Sequence, residues 1–317
     1  MGSVVAVVAI ALIGGWLAFV PFTKEPGYGF VMAWGSKGSG PGQFDDPIGI
    51  AISDGEIFVS DARNARIQVF DLDGIFLREF GRAGDGPGEL GRPMNLEIAG
   101  DDIYVADYWN DRIQVFALDG TPMGAIGERG DGPGQFNAPG GVAVAPNGDV
   151  FVADFYNQRI QHLRPDGRFV GQVGVTGKTG IGRGQFNYPT DVALSADGTL
   201  FVADGYNDRI QVFDAAGIYV RRWGGPFGVN IFGPFRGWFA TVTSVEVAED
   251  DRVFVADFYN HRIQKFTSSG RFLTAFGRHG TGVGQFNFPI SAAIAPDGSV
   301  FVVDFGNSRI QKWSPRK

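Results

Sequence analysis

The side chains best suited to chemistry fall into two groups with different logic. One group is repeated. An Asp-x-x-Asn-x-Arg-Ile-Gln core begins at Asp61, Asp107, Asp154, Asp204, Asp257 and Asp304, a spacing of 46 to 53 residues. Asp61, Asn64 and Arg66, and each equivalent set, have the composition of a catalytic cluster. Asp and Asn also bond to nearby backbone in turns, and Arg pairs with Asp or with carbonyls. A set present in every repeat is explained by what every repeat needs, so a structural role is expected.

The second group differs between repeats. Along the first strand of each repeat, equivalent positions hold Gly49, Asn95, Gly141, Asp191, Ser244 and Ser291. Two residues on stand Ala51, Glu97, Ala143, Ala193, Glu246 and Ala293. Strand alternation puts both sets on one face. Asn95, Glu97, Asp191 and Glu246 can then meet near a common axis, where hard oxygen ligands suit Ca²⁺. The competing expectation is a hydrated pore lined by whichever polar groups fit. No other cofactor is indicated. The three histidines, His162, His261 and His279, have no convergent zinc spacing, and His261 occupies a freely varying, exposed-looking position. No Gly-x-Ser-x-Gly elbow or phosphate loop is present.

These residues must be positioned by a repeating unit. Each repeat opens with a glycine-rich lead such as Gly127 to Phe136, followed by a strand of small and β-branched residues, Gly141 to Val144. A turn at Asn147-Gly148, strands at Val150 to Ala153 and Arg159 to Leu163, and a turn at Asp166-Gly167 lead to a last strand, Phe169 to Val173. Such dipeptides accept positive φ and suit tight hairpins. Six units of four short strands predict an all-β, six-bladed β-propeller. The sixth unit lacks a fourth strand. Phe30 to Trp34 matches that missing strand and is expected to close the ring, removing open sheet edges.

The run Pro-Gly-Gln-Phe-x-x-Pro, then Gly-Val-Ala-Val, then Val-Ala-Asp-x-x-Asn-x-Arg-Ile-Gln-Val-Phe resembles the NHL repeat. The resemblance covers about residues 28 to 317. It implies a propeller used mostly as a binding platform; some members bind RNA, some bind proteins, and a few are enzymes such as the peptidyl-hydroxyglycine amidating lyases. The histidine spacing speaks against that lyase activity. Lactonase-like six-bladed propellers place calcium in the channel, which would give the Asn95, Glu97, Asp191 and Glu246 set a hydrolytic role.

The chain has 317 residues, 27 basic and 34 acidic, for a net charge of −7. Nucleic-acid binding needs clustered Lys and Arg to neutralise phosphates, so no nucleic-acid partner is expected. With no cysteine, disulfides and thiolate metal sites are excluded. Val4 to Phe22 is uncharged and apolar apart from glycines. As a helix it would reach about 28 Å, near the hydrocarbon thickness of a bilayer. No Lys or Arg precedes it and no small-x-small site follows, which favours a retained single-pass helix over a cleaved signal peptide. The expected organisation is a membrane segment at 1–23, a linker at 24–29 and a propeller at 30–317 on the periplasmic or extracytoplasmic side. Lipid contact would run through residues 4–22.

The fifth connection, Gly224 to Ala240, departs from the Pro-Gly-Gln-Phe pattern and carries Phe227, Ile231, Phe232, Phe235, Trp238 and Phe239. Propeller topology puts it on the face that also holds Tyr108, Trp109, Tyr156 and Tyr259. So aromatic a face suggests a protein or membrane-interface contact. The leading expectation is therefore a non-enzymatic accessory subunit of a membrane-embedded assembly, a respiratory or photosynthetic complex being one setting, bound to membrane protein subunits. A calcium-assisted hydrolase working in the channel is the alternative.

Overall fold

The computed structural model describes residues 22–228 and 230–316. Six four-stranded antiparallel sheets follow one another round a central axis. Their innermost strands are Pro47–Ser53, Pro93–Ala99, Pro139–Val144, Pro189–Leu194, Val242–Val247 and Pro289–Ile294. Blades 1 to 6 are numbered from these. The first strand of the chain, Tyr28–Trp34, pairs antiparallel with Arg309–Pro315, the third strand of blade 6. Ring closure by an N-terminal strand is therefore as expected, and the strand begins two residues earlier than the sequence suggested.

The blades stack because each sheet is apolar on both faces. Between blades 4 and 5, for example, Phe201, Val212, Phe239, Val255 and Phe266 pack together. Six such clusters, one per interface, form a ring-shaped core. The Phe that closes each glycine-rich lead enters this core: Phe44, Phe136, Phe186, Phe239 and Phe286, with Leu90 in blade 2, are all fully buried. Phe239 is thus a core residue, and the expectation that it meets a partner is corrected.

The repeated Asp-Asn-Arg sets are structural, as expected. In blade 3, Asp154 Oδ2 accepts from Asn157 Nδ2 at 2.9 Å, Arg159 Nε at 2.8 Å and Gln161 Nε2 at 3.3 Å. Its Oδ1 accepts the Asn137 N–H at 2.8 Å. Arg159 then donates to the Gly132 and Gln135 carbonyls, both at 2.8 Å. One buried carboxylate thereby ties the lead, the strand 2–3 turn and strand 3 of a blade into one unit. All six Asp side chains are fully buried.

The topology gives the disc two unlike faces. The leads and the strand 2–3 turns lie on one face, here called upper. The hairpins between strands 1 and 2, and between strands 3 and 4, lie on the lower face. The closing strand starts at the lower face, where Tyr28 lies opposite Pro315. Residues read as a linker are docked there: the Lys24 and Glu25 N–H groups donate to the Leu273 carbonyl, and Glu25 pairs with Lys265 at 2.9 Å. Residues 1–21 of the membrane segment expected at 1–23 lie outside the described residues. Among the described residues, no helix is long and apolar enough to cross a membrane.

Candidate binding site at the channel mouth

The residue after the first position of each innermost strand faces the upper mouth of the channel. These are Ile48, Met94, Gly140, Thr190, Thr243 and Ile290, one per blade, and all six line a cavity of about 460 Å³. Hydroxyl groups stitch half of this ring. Thr190 Oγ1 donates to the Val242 carbonyl at 3.0 Å and Thr243 Oγ1 to the Ile290 carbonyl at 2.8 Å, while Ser291 Oγ donates to the Ile48 carbonyl. Blades 4, 5, 6 and 1 are thus joined strand to strand. Blades 2 and 3 present Met94 and Gly140 instead, and on that side the cavity is walled by Arg92, Tyr108, Trp109, Phe155 and Tyr156. The Arg92 guanidinium lies 5.6 Å from the centre of the Trp109 ring and 3.3 Å from Asp46 Oδ2.

Asn95 belongs to the cavity floor. Its amide donates to the Asp191 carboxyl, and its Oδ1 is buried without a hydrogen-bond partner. Blades 2 and 4 can meet in this way because blade 3 contributes no side chain between them. A Cβ on Gly141 would lie 2.8 Å from the Asp191 Cα and closer still to its carboxyl, and one on Gly140 would lie 2.7 Å from the Thr190 carbonyl. Gly49 plays the same part on the other side, 2.8 Å from the Asn95 Cα by the same measure.

The channel carboxylates do converge. Burial pushes the Glu97 carboxyl up to about 8, with repulsion from Asp191 adding to it. Burial also pushes Asp191 up to about 8, against hydrogen bonds from the Val245 and Val192 N–H groups and from Asn95. Glu246 is held well above the usual carboxylate range, first by burial and then by the charges of Glu97 and Asp191. Three acids from blades 2, 4 and 5 feel one another only at the axis, so strand alternation placed them correctly. Among the described residues, however, no three His, Cys, Asp or Glu side chains are arranged to hold a metal ion. The geometry does not supply the calcium set expected of Asn95, Glu97, Asp191 and Glu246.

Around the mouth, the upper face carries an arc of rings. Tyr108 and Phe155 have centroids 6.1 Å apart, Phe155 and Tyr188 4.9 Å, and Tyr188 and Tyr206 5.2 Å. A second group joins Phe258, Tyr259 and Phe288, with Phe258 and Phe288 stacked at 4.9 Å. Between the two groups lies a cleft of about 470 Å³ whose lining includes Tyr206, Phe232 and Tyr259. Tyr188 and Phe288 were missed from sequence. The available signal was their place before Pro189 and Pro289, where other blades carry Asp46, Arg92 and Ala138.

The loop from Gly224 is less irregular than its sequence suggested. From Gly233 it rejoins the common frame, with Asn260 Nδ2 donating to the Gly233 carbonyl at 2.8 Å and the Gly237 N–H to Gln264 Oε1 at 2.8 Å. Gly237-Trp238-Phe239 therefore stands for the usual Gly-Gln-Phe. Trp238 is half-buried, in edge contact with Phe235 at 4.9 Å. Phe227 and Phe232 project most, at 78% and 72% exposure, and Ile231 is also exposed. Phe227 adopts φ 62°, a left-handed conformation that costs energy for a bulky residue.

The histidines do not converge. His162 bonds Asp149 at 2.8 Å in blade 3. The His261 and His279 rings lie 4.2 Å apart at a tilt, and His261 Nδ1 accepts the Phe288 N–H at 3.1 Å. The His261 position is an interblade clasp rather than a free surface site. Asp111, Gln158 and Asp208 accept the matching N–H groups of Ala138, Tyr188 and Thr241.

Comparison with known proteins agrees with this architecture. The NHL repeat matches at residues 44–70, 136–163, 186–213, 239–266 and 286–313. A structural genomics protein of unknown function from Bacteroides thetaiotaomicron superposes with a TM-score of 0.70 at 14% identity, covering 91% of this chain and 76% of that one. A streptogramin B lyase superposes at 0.58 with 16% identity, covering 86% and 94%. Catalytically inactive virginiamycin B lyase from Staphylococcus aureus with quinupristin superposes at 0.57 with 20% identity, covering 85% and 84%. At these identities the likeness concerns the fold alone. No curated protein sequence matches the chain. Blade 2, between the first two matched segments, lies outside the repeat match, and it supplies Arg92, Met94, Asn95, Glu97, Tyr108 and Trp109 to the mouth and channel. By its repeats and its six closed blades, this chain is an NHL-repeat β-propeller.

Proposed function

We propose that the protein is a non-catalytic binding propeller whose upper face docks a partner protein, as an accessory subunit of a membrane-embedded assembly. The supporting observation is the apolar density of that face. Trp109, Tyr156, Tyr206, Phe227, Phe232 and Tyr259 are all exposed on one side of the disc. Large exposed rings gathered around a concave centre are the composition of a protein interface rather than of an ordinary monomer surface.

The fold adds a geometric condition to this reading. The chain enters the propeller at the lower face, so a bilayer segment at 4–22 would tether that side. The aromatic face would then look away from the tether and meet a part of the assembly standing clear of the bilayer. The calcium-hydrolase alternative is weaker, because the channel acids do not form a ligand set.

Mild-detergent extraction of native membranes, followed by size analysis and mass spectrometry, tests the reading. Stoichiometric co-migrating membrane subunits are expected, and they should be lost in the Phe227→Ser, Phe232→Ser double variant. A propeller that migrates alone, or a partner retained by the double variant, counts against it.

A further inference from the structure

We propose that the cavity at the upper mouth of the channel binds a small aromatic carboxylate, with Arg92 as the group that recognises its charge. The inference is independent of protein docking on the outer rings. A site for a small ligand is concave, mostly apolar and supplied with a few well-placed polar groups. Here the walls are Met94, Tyr108, Trp109, Phe155 and Tyr156, around a volume of about 460 Å³. Four aromatic rings and a thioether suit a flat apolar body, which packs on them by stacking and edge contacts.

Charge at the mouth has one sign. Among the described residues that line the cavity, Arg92 alone is charged. The residues standing immediately before the six inner strands are Asp46, Arg92, Ala138, Tyr188, Thr241 and Phe288, so one blade offers a cation at this level. The one acid in that set is shared. Asp46 Oδ2 accepts from Arg63 Nε at 2.5 Å and from Arg92 Nη2 at 3.3 Å. Two guanidiniums on one carboxylate leave net positive charge, and the longer bond belongs to Arg92. Among the described residues, Asp46 is the only acceptor its guanidinium has, so most of its five N–H donors stay available.

The surroundings keep that charge effective. The Trp109 ring, 5.6 Å away, holds the guanidinium in place. The Arg92 side chain is only 20% exposed, so an anion beside it is screened less than one on open surface. The lining hydroxyls of Thr190 and Thr243 donate to backbone carbonyls, which leaves the guanidinium as the strong donor. Glu97, Asp191 and Glu246 lie outside the lining. Burial pushes Glu97 and Asp191 up to about 8, so at neutral pH they do not cancel Arg92. One guanidinium matches one carboxylate in charge and, through paired N–H groups, in shape. A phosphate monoester would bring nearly two charges to a single cation.

The test titrates the full chain in detergent with phenylacetate by calorimetry, against a detergent-only blank. Phenylacetamide, of the same shape without the charge, is the control. Expected is saturable binding of phenylacetate, about tenfold or more tighter than the amide and weakened by added salt. Arg92→Gln should remove most of that preference, and Trp109→Ala should weaken both ligands. Asp46→Asn removes the competing acid at a position whose φ of 57° Asn tolerates. It should tighten phenylacetate binding about two- to fivefold, a gain that damage to the fold cannot produce. Absence of saturable binding, equal affinity for acid and amide, a preference retained in Arg92→Gln, or no gain in Asp46→Asn would overturn the proposal.

Discussion

A residue's role in this molecule follows from whether the other blades share it. Asp154 is shared, and it is surrounded by donors that no water replaces. Truncating it would leave the Arg159 guanidinium buried without its carboxylate, a loss of about 3–5 kcal/mol. Asp154→Ala should accordingly lower the denaturation midpoint sharply; a midpoint within error of the parent would show that the buried network contributes nothing net. Asp191 and Glu97 are unshared, and their raised affinity for protons has a definite sign. The folded state keeps protons that the unfolded chain sheds between its ordinary carboxylate range and about pH 8. Stability should therefore be highest on the acid side of that window and fall as pH rises through it. Thermal melts from about pH 5.5 to about pH 8.5 check this, and Glu97→Gln should flatten the slope. Gly141 is matched only by Gly49 at the equivalent positions, and Gly141→Ala drives a methyl group against Asp191. Overpacking of this kind costs about 1–3 kcal/mol, and a lowered melting temperature of the variant checks this.

At the scale of the element, the loop from Gly224 to Ala240 divides into two parts with opposite sensitivities. Its second part is framework, anchored by Asn260, Arg262 and Gln264, and it ends in the buried Phe239. Phe239→Ala removes a ring from the interface of blades 4 and 5 and should cost about 3–5 kcal/mol. Its first part projects Phe227, Ile231 and Phe232 into solvent. Substituting Phe232 by Ser should leave the melt within about 0.5 kcal/mol of the parent while weakening partner capture. Equal destabilisation by both substitutions would mean that the projecting part also belongs to the core. The composition of the loop showed its aromatics clearly. Which of them pointed inward was hidden, because Gly237-Trp238-Phe239 does not read as Gly-Gln-Phe until the hydrogen bonds of Gln264 are seen.

The whole molecule is a ring, and its stability depends on closure. Tyr28–Trp34 is the only strand of blade 6 supplied from the start of the chain, and it covers the edge of Arg309–Pro315. A chain lacking residues 1–34 should expose that edge and the rings of Trp313 and Phe276, and should associate or aggregate at concentrations where the parent stays monodisperse. Light scattering distinguishes the two; a monodisperse truncated protein would show that the closing strand is dispensable. Sequence by itself determined the repeat, the number of blades, the closing strand and the structural nature of the Asp-Asn-Arg sets. Those properties are periodic, and periodicity is visible without coordinates. It also placed Asn95, Glu97, Asp191 and Glu246 on one face, because strand alternation is local. Tertiary structure alone decided how those four side chains stand to one another, since that depends on the glycines of neighbouring blades. It alone put His261 in a clasp, Phe239 in the core and Tyr188 beside Tyr206. It also set the chain's entry on the lower face and the aromatic rings on the upper. Contacts between blades join residues about one repeat apart, and no local pattern in the chain records which of two faces such a pair will share.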